Sequence, residues 1–195
     1  MAKLQPPQTD EDLIAAFQDG NESAFGELVS RYKDPLTNFV YRFVGDWEDS
    51  TDIVQETFIR VFRSRHSYKP VAKFSTWVYT IASNLAKTYL RRKRIRIVLP
   101  FSRKESREPE REFEIVDDAA GPDTKADSSL LEERIQGALE GLSVKYREVI
   151  IMREIQELSY EEISAITGIR IGTVKSRINR ARLQLQSMLR DIWEE

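Results

Sequence analysis

Between Ile163 and Arg190 the chain carries no Asp or Glu, while Arg170, Lys175, Arg177, Arg180, Arg182 and Arg190 all fall there. Cations without interspersed acids suit a polyanion, because each neutralised phosphate releases condensed counterions. The spacing adds geometry. Ser159 and Glu162, three apart, form a capping box that opens a short helix, and Gly168 permits a tight turn before a second one. On that second helix Val174, Ile178, Ala181 and Leu185 share a face, which leaves Ser176, Asn179 and Arg180 pointing away, flanked by Thr173, Lys175 and Arg177. This is helix-turn-helix spacing, in which early residues of the second helix reach base edges in the major groove and Arg or Lys neutralise nearby phosphates. A merely solvated basic face is the plainer alternative. It leaves unexplained why Ser164, Gly168, an apolar Val174 and an acid-free outer face occur together.

A second basic cluster runs from Lys87 towards Arg111 and follows an aromatic one, Phe74, Trp77 and Tyr79. Opening a duplex requires unstacked bases to be captured by aromatic or apolar surfaces while cations hold the backbone. Lys87, Arg91, Arg92, Lys93 and Arg94 supply the cations. Trp77 itself reads as core, since large aromatics at helical spacing usually pack inward. Asn84, on the same stretch, reads by itself as simple helix filler. The formal net charge is only −2, so it is the distribution of charge that points to two separate polyanion contacts.

The elements that must carry these clusters are helical. With 41% hydrophobic and 32% charged residues, the 195-residue chain supports packed cores under a heavily charged surface. Thr9 caps a first helix bearing Leu13, Ile14 and Phe17, and Gly20 stops it. A second begins after Asn21 with Ala24, Phe25, Leu28, Val29 and Tyr32, and its stripe continues through Leu36, Phe39, Val40 and Phe43, with Pro35 kinking or restarting it. The segment STDIVQETFIRVFRS buries Ile53, Val54, Thr57, Phe58 and Val61 and turns Asp52, Gln55, Glu56 and Arg60 outward. A loop, HSYKPVAKF, leads to a long helix that starts aromatic and ends basic. These helices make a first domain over 8–96. Periodicity is lost from about Leu99 to Ser128, where Pro100, Pro109, Gly121 and Pro122 appear, so 97–128 reads as a mobile linker. Patterning resumes at Ser129, and a second domain over 129–195 places a helix from Ser143 to about Glu154, with Tyr146, Val149, Ile150 and Met152 or Ile155, beneath the helix-turn-helix. The expected fold class is all-α, two small domains joined by a flexible tether.

The chain contains no cysteine, which removes disulfides and thiolate metal sites and fits a cytoplasmic protein. No apolar run is long enough to span a bilayer, so no membrane insertion is expected. The sole His66 lacks a nearby Cys or paired carboxylate pattern and there is no glycine-rich phosphate loop; no catalytic residue, cofactor or metal is expected.

Three segments carry a family resemblance. DIVQETFIRVFRS and FSTWVYTIASNLAKTYLRRKR resemble the core-binding and promoter-melting segments of extracytoplasmic-function sigma factors, group 4 of the sigma-70 superfamily, and GTVKSRINRAR resembles their promoter-reading helix. The order and separation match over essentially the whole chain. The resemblance implies a sigma region 2-like four-helix domain and a region 4-like helix-turn-helix domain that bind core RNA polymerase and direct promoter-specific initiation, in a stress or envelope response. Asp52, Gln55 and Glu56 would meet the clamp helices of the largest polymerase subunit, although a solvated acidic face explains these acids equally well. Tyr68, Lys69 and Asn84 would line the pocket for a flipped base at the minus-ten element, with Lys87, Arg91 and Arg92 on its backbone. Lys175, Ser176, Asn179 and Arg180 would read the minus-thirty-five element, with Thr173 and Arg177 on phosphates. Some relatives carry an aromatic where Asn179 stands, and Asn bonds adenine bidentately, so an altered base preference is expected. Further implied partners are the flap of the second polymerase subunit, promoter DNA and an anti-sigma factor. The acidic stretch Glu112 to Asp127 would thread the polymerase cleft, or is simply disordered. The rival reading is a stand-alone helix-turn-helix regulator, which predicts tight specific DNA binding without polymerase.

Overall fold

A computed structural model describes residues 8–98 and 122–190, with side chains from 8 to 95 and from 130 to 190. Every regular element among them is helical. In the first half, α1 (Asp10–Gln18), α2 (Glu22–Val44), α3 (Trp47–Arg63) and α4 (Phe74–Val98) form a bundle, with a 3₁₀ turn Arg65–Ser67 before α4. The Thr9 cap expected from the sequence is a full capping box with Asp12, and Asn21 caps α2 through the Ser23 and Ala24 amides. Leu28, Leu36, Phe39, Val40, Phe43, Val61, Phe74 and Val78 are completely buried between these helices. Truncating one of the buried Phe rings to Ala costs about 3–5 kcal/mol.

Pro35 does not restart α2, which runs unbroken from Glu22 to Val44. The pyrrolidine removes one backbone donor, at a cost of about 3 kcal/mol. The buried stripe on either side of it, Leu28 before and Leu36 to Phe43 after, outweighs that cost by area removed from water. Thr57, inside α3, is fully buried and donates its hydroxyl to the Ile53 carbonyl at 2.8 Å, so its polar group is satisfied within the helix.

The second half comprises α5 (Pro122–Gly141), α6 (Val144–Glu154), α7 (Tyr160–Thr167) and α8 (Ile171–Met188). Helix α5 begins at Pro122, seven residues before the expected Ser129, because a proline at the first helical position suits the fixed φ and has no donor to lose. The rest of the expected linker, 99–121, lies outside the described residues, as do most of the acidic stretch and the last five positions. In α6, Val149, Ile150 and Met152 are buried and Ile155 is exposed, which resolves the alternative between the last two in favour of Met152.

The halves are packed against each other. Arg147 of α6 is buried and donates to the Phe43 carbonyl of α2 at 2.9 Å. The Tyr79 hydroxyl of α4 donates to Gln156 Oε1 at 2.6 Å, Lys73 pairs with Glu162 at 2.8 Å, and Arg42 pairs with Glu132. Gly45, which closes α2 in the left-handed region at φ +81, lies so near α5 that a Cβ there would stand 2.1 Å from Glu140 Oε1.

Candidate nucleic-acid interface

Helices α7 and α8 form the turn that the sequence spacing predicts. Ser159 accepts from the Glu162 amide while Glu162 accepts from the Ser159 amide, and Gly168 ends α7 at φ +72. The Ser164 hydroxyl crosses the turn and donates to the Ile169 carbonyl at 2.6 Å, fixing the angle at which α8 leaves. Val174, Ile178 and Ala181 are buried against α6 and α7, and Leu185 is half-buried. The opposite face presents Lys175, Ser176, Asn179 and Arg180 to solvent, with Thr173 and Arg177 half-buried at its flanks.

Two aromatic rings hold the cations of this face. Lys175 lies over Tyr160, with its ammonium 5.3 Å from the ring centroid, and Arg153 sits over the same ring at 5.0 Å. Arg180 hydrogen-bonds the Tyr146 hydroxyl and thereby lowers its pKa from the ordinary phenol value. Neither tyrosine was singled out as a cation partner from the sequence, because α6, α7 and α8 meet only in the folded molecule. Glu162 is held down to about 2 by the Lys73 ammonium and by the amide of Ser159.

At the other cluster, Asn84, Arg91 and Arg92 are exposed on α4, with Lys69 exposed on the preceding loop. Tyr68 is not open to solvent. Its ring packs 5.3 Å from Trp77 and 6.0 Å from Phe74, and its hydroxyl donates to the Ala72 carbonyl at 2.8 Å. Trp77 is half-buried against the core, in line with its reading as a packing residue, and Tyr79 is buried. Burial raises the hydroxyl pKa of both Tyr68 and Tyr79. Lys87 is half-buried and faces Glu148 of α6. On α3, Asp52 and Gln55 are exposed as expected, while Glu56 is half-buried and accepts from Arg60 one turn on at 2.8 Å. His66 is an exposed residue of the 3₁₀ turn.

Glu148 and Gln156 were missed as functional candidates. A signal for the first existed, since Glu148 falls one turn before the buried Ile151 and Met152 and so places a charge on the inward face of α6. Its side chain is 6% exposed. Among the described residues no cluster of His, Cys, Asp or Glu is arranged to hold a metal ion, and no helix is long and apolar enough to cross a membrane.

A four-helix unit bearing an aromatic-to-basic helix, followed by a helix-turn-helix unit with an acid-free outer face, defines a two-part promoter-binding protein. Residues 28–95 match the family model described as Sigma-70 region 2, and residues 132–185 match Sigma-70, region 4. The chain is 37% identical to the ECF RNA polymerase sigma factor SigW of Bacillus subtilis, over 92% of this chain and 96% of that one. It is 38% identical to the ECF RNA polymerase sigma-E factor of Escherichia coli, over 89% and 91% respectively. Among solved structures, that of CnrH in complex with the cytosolic domain of CnrY matches with a TM-score of 0.71 at 26% identity, over 94% of this chain and 99% of that one. The sigma factor RpoE in complex with the anti-sigma factor NepR from Bartonella quintana matches with a TM-score of 0.64 at 25% identity, over 85% and 96%. The chain therefore belongs to the extracytoplasmic-function RNA polymerase sigma factors of the sigma-70 superfamily, which direct promoter-specific transcription and are not enzymes.

Proposed function

We propose that this sigma factor divides its work between 8–96 and 129–195, with 97–128 as the connection between them, and acts in the cytoplasm in a stress or envelope response. In the first unit Asp52, Gln55 and Glu56 dock on the clamp helices of the largest polymerase subunit. Tyr68, Lys69 and Asn84 receive a flipped minus-ten base while Lys87, Arg91 and Arg92 take backbone phosphates. Tyr68 would do this from a packed position, its ring held against Phe74 and Trp77. In the second unit Lys175, Ser176, Asn179 and Arg180 read the minus-thirty-five element, with Thr173 and Arg177 on phosphates. The observation that carries this reading is the outer face of α8, polar, exposed and without acids, over a fully buried Val174, Ile178 and Ala181 spine.

An open groove of about 820 Å³ where α6 meets the end of α8, with Ile150, Leu183, Leu185 and Leu189 in its lining beside Glu154, Arg182 and Arg190, is a seat for the flap of the second polymerase subunit. The Bartonella quintana neighbour is bound by an anti-sigma factor, which supports a protein inhibitor for this chain as well.

Transcription in vitro with purified core polymerase and a promoter library tests the assignment. The chain should select a two-part promoter, and Asn179→Ala should lose preference at one base of the upstream part, by about 1–3 kcal/mol. Tight specific duplex binding without polymerase, and no promoter-selective transcripts with it, would instead establish a stand-alone regulator.

A further inference from the structure

Lys175 is exposed on the outer face of α8, yet its ammonium lies 5.3 Å from the centroid of the Tyr160 ring. Tyr160 is the first residue of α7, and the Ser159 capping box fixes the turn on which it stands. The ring is half-buried and packs against the hydrophobic core. Arg153 of α6 sits over the same ring at 5.0 Å and donates to the Leu158 carbonyl at 2.9 Å. Tyr160 is thus fixed by its own helix and by α6, independently of Lys175. Another cation of α8 is held differently, for Arg182 pairs with Glu154 at 2.6 Å. A carboxylate takes up donors and cancels the charge of the cation it holds. A ring attracts an ammonium through its quadrupole and leaves the three N–H donors able to bond an oxygen.

We propose that Tyr160 is a positioning residue for promoter reading, holding Lys175 over its ring so that the upstream element meets a cation already in place and still fully charged. The inference rests on the assignment of Lys175 to the minus-thirty-five element made above. A free lysine loses rotamer freedom when it meets a base or a phosphate, and that loss weakens binding. Over the ring, Lys175 has given up part of that freedom before DNA arrives, so less is lost in the complex. The ring leaves the ammonium donors to the DNA, so both contacts can exist together. The contact belongs to the ring and not to the hydroxyl. A residue of α7 thereby affects base preference without touching a base.

The test uses holoenzyme assembled from the full chain and core polymerase, on the promoter that the library selects, with each base of the upstream part substituted in turn. Tyr160→Leu, which keeps an apolar side chain and a good helix former, should weaken promoter binding about two- to five-fold, the range of one exposed cation–π contact. Base preference should loosen only where Lys175→Ala loosens it, and in the Lys175→Ala background Tyr160→Leu should cost nothing further. Tyr160→Phe, the conservative variant, should restore the binding that Tyr160→Leu loses. Pentafluorophenylalanine in place of Tyr160 keeps the shape of a phenyl ring and reverses its quadrupole. It should bind as weakly as Tyr160→Leu, and its comparison with Tyr160→Phe decides the matter alone if Tyr160→Leu loses its helical signal. A Tyr160→Phe variant as weak as Tyr160→Leu overturns the proposal, since the hydroxyl would then meet DNA itself. Additive losses in the double variant, or preference lost also at the base read by Asn179, overturn it too and make Tyr160 a support for the whole of α8. If Lys175→Ala changes neither affinity nor preference on a promoter that the holoenzyme does select, the proposal falls through the assignment of Lys175, while the sigma-factor reading stands.

Discussion

At the residue scale, the charged groups of this protein are governed by who faces them across the fold. Glu162 closes the capping box of α7 and receives Lys73 from the loop before α4. Its pKa is held down to about 2, first by Lys73 and then by the Ser159 amide. A carboxyl whose folded pKa is depressed stabilises the fold above its unfolded value, near 4.5, and that stability is lost as pH falls from there towards 2. Glu162→Gln keeps an acceptor for Ser159 and removes the charge. At pH 7 it should cost about 1 kcal/mol at low salt, a modest figure because Lys73 is largely solvated. Chemical denaturation at pH 7 and near pH 2 checks this: the difference between the two proteins should shrink markedly at the acid end, where folded Glu162 is about half protonated. A difference that is undiminished there would mean that the charge is not what Glu162 contributes.

At the scale of elements, two glycines that share a backbone conformation separate two physical causes. Gly168 ends α7 at φ +72 with open space where a Cβ would go, whereas Gly45 ends α2 at φ +81 with Glu140 Oε1 2.1 Å from that position. Gly168→Ala should therefore cost only the left-handed backbone penalty, about 1–2 kcal/mol. Gly45→Ala bears that penalty and must also displace Glu140 from the seam. Thermal unfolding of the two variants should rank Gly45→Ala as the more destabilised, and equal losses would show that Glu140 swings aside freely. The helix-turn-helix depends on a few such local devices, the Ser159 box, the Gly168 turn and the Ser164 bond to Ile169, which set the angle at which α8 leaves α7.

At the scale of the whole molecule, one hydrophobic cluster runs through both halves, and the polar contacts of the seam decide how readily they separate. Tyr79→Phe removes only the hydroxyl that reaches Gln156 and should cost about 1 kcal/mol. Hydrogen exchange followed by mass spectrometry should show faster exchange in α6 and α7 and little change in α1 and α3, because the seam is loosened while the first bundle keeps its core. Uniform acceleration along the chain would instead make the two halves a single cooperative unit.

Much of this protein is written in short-range pattern. The caps at Thr9, Asn21 and Ser159, the stripe of α2, the outward Asp52 and Gln55 of α3, and the two faces of α8 follow from three-four spacing and cap chemistry, which act within a turn or two of the chain. The exposed polar and basic face of α8 was legible for the same reason. The course of α2 through Pro35 and the early start of α5 were not, since a proline's local cost is weighed against burial, or against position in the helix, only once the helix is packed. The partners of Lys175, Arg180 and Lys87 were not legible either. They are Tyr160, Tyr146 and Glu148, and each comes from a different element than the cation it holds. Sequence periodicity assigns a side chain to the inside or the outside of its own helix; which group it meets there depends on contacts between residues as much as 61 positions apart in the case of Lys87 and Glu148, and those exist only in the tertiary structure.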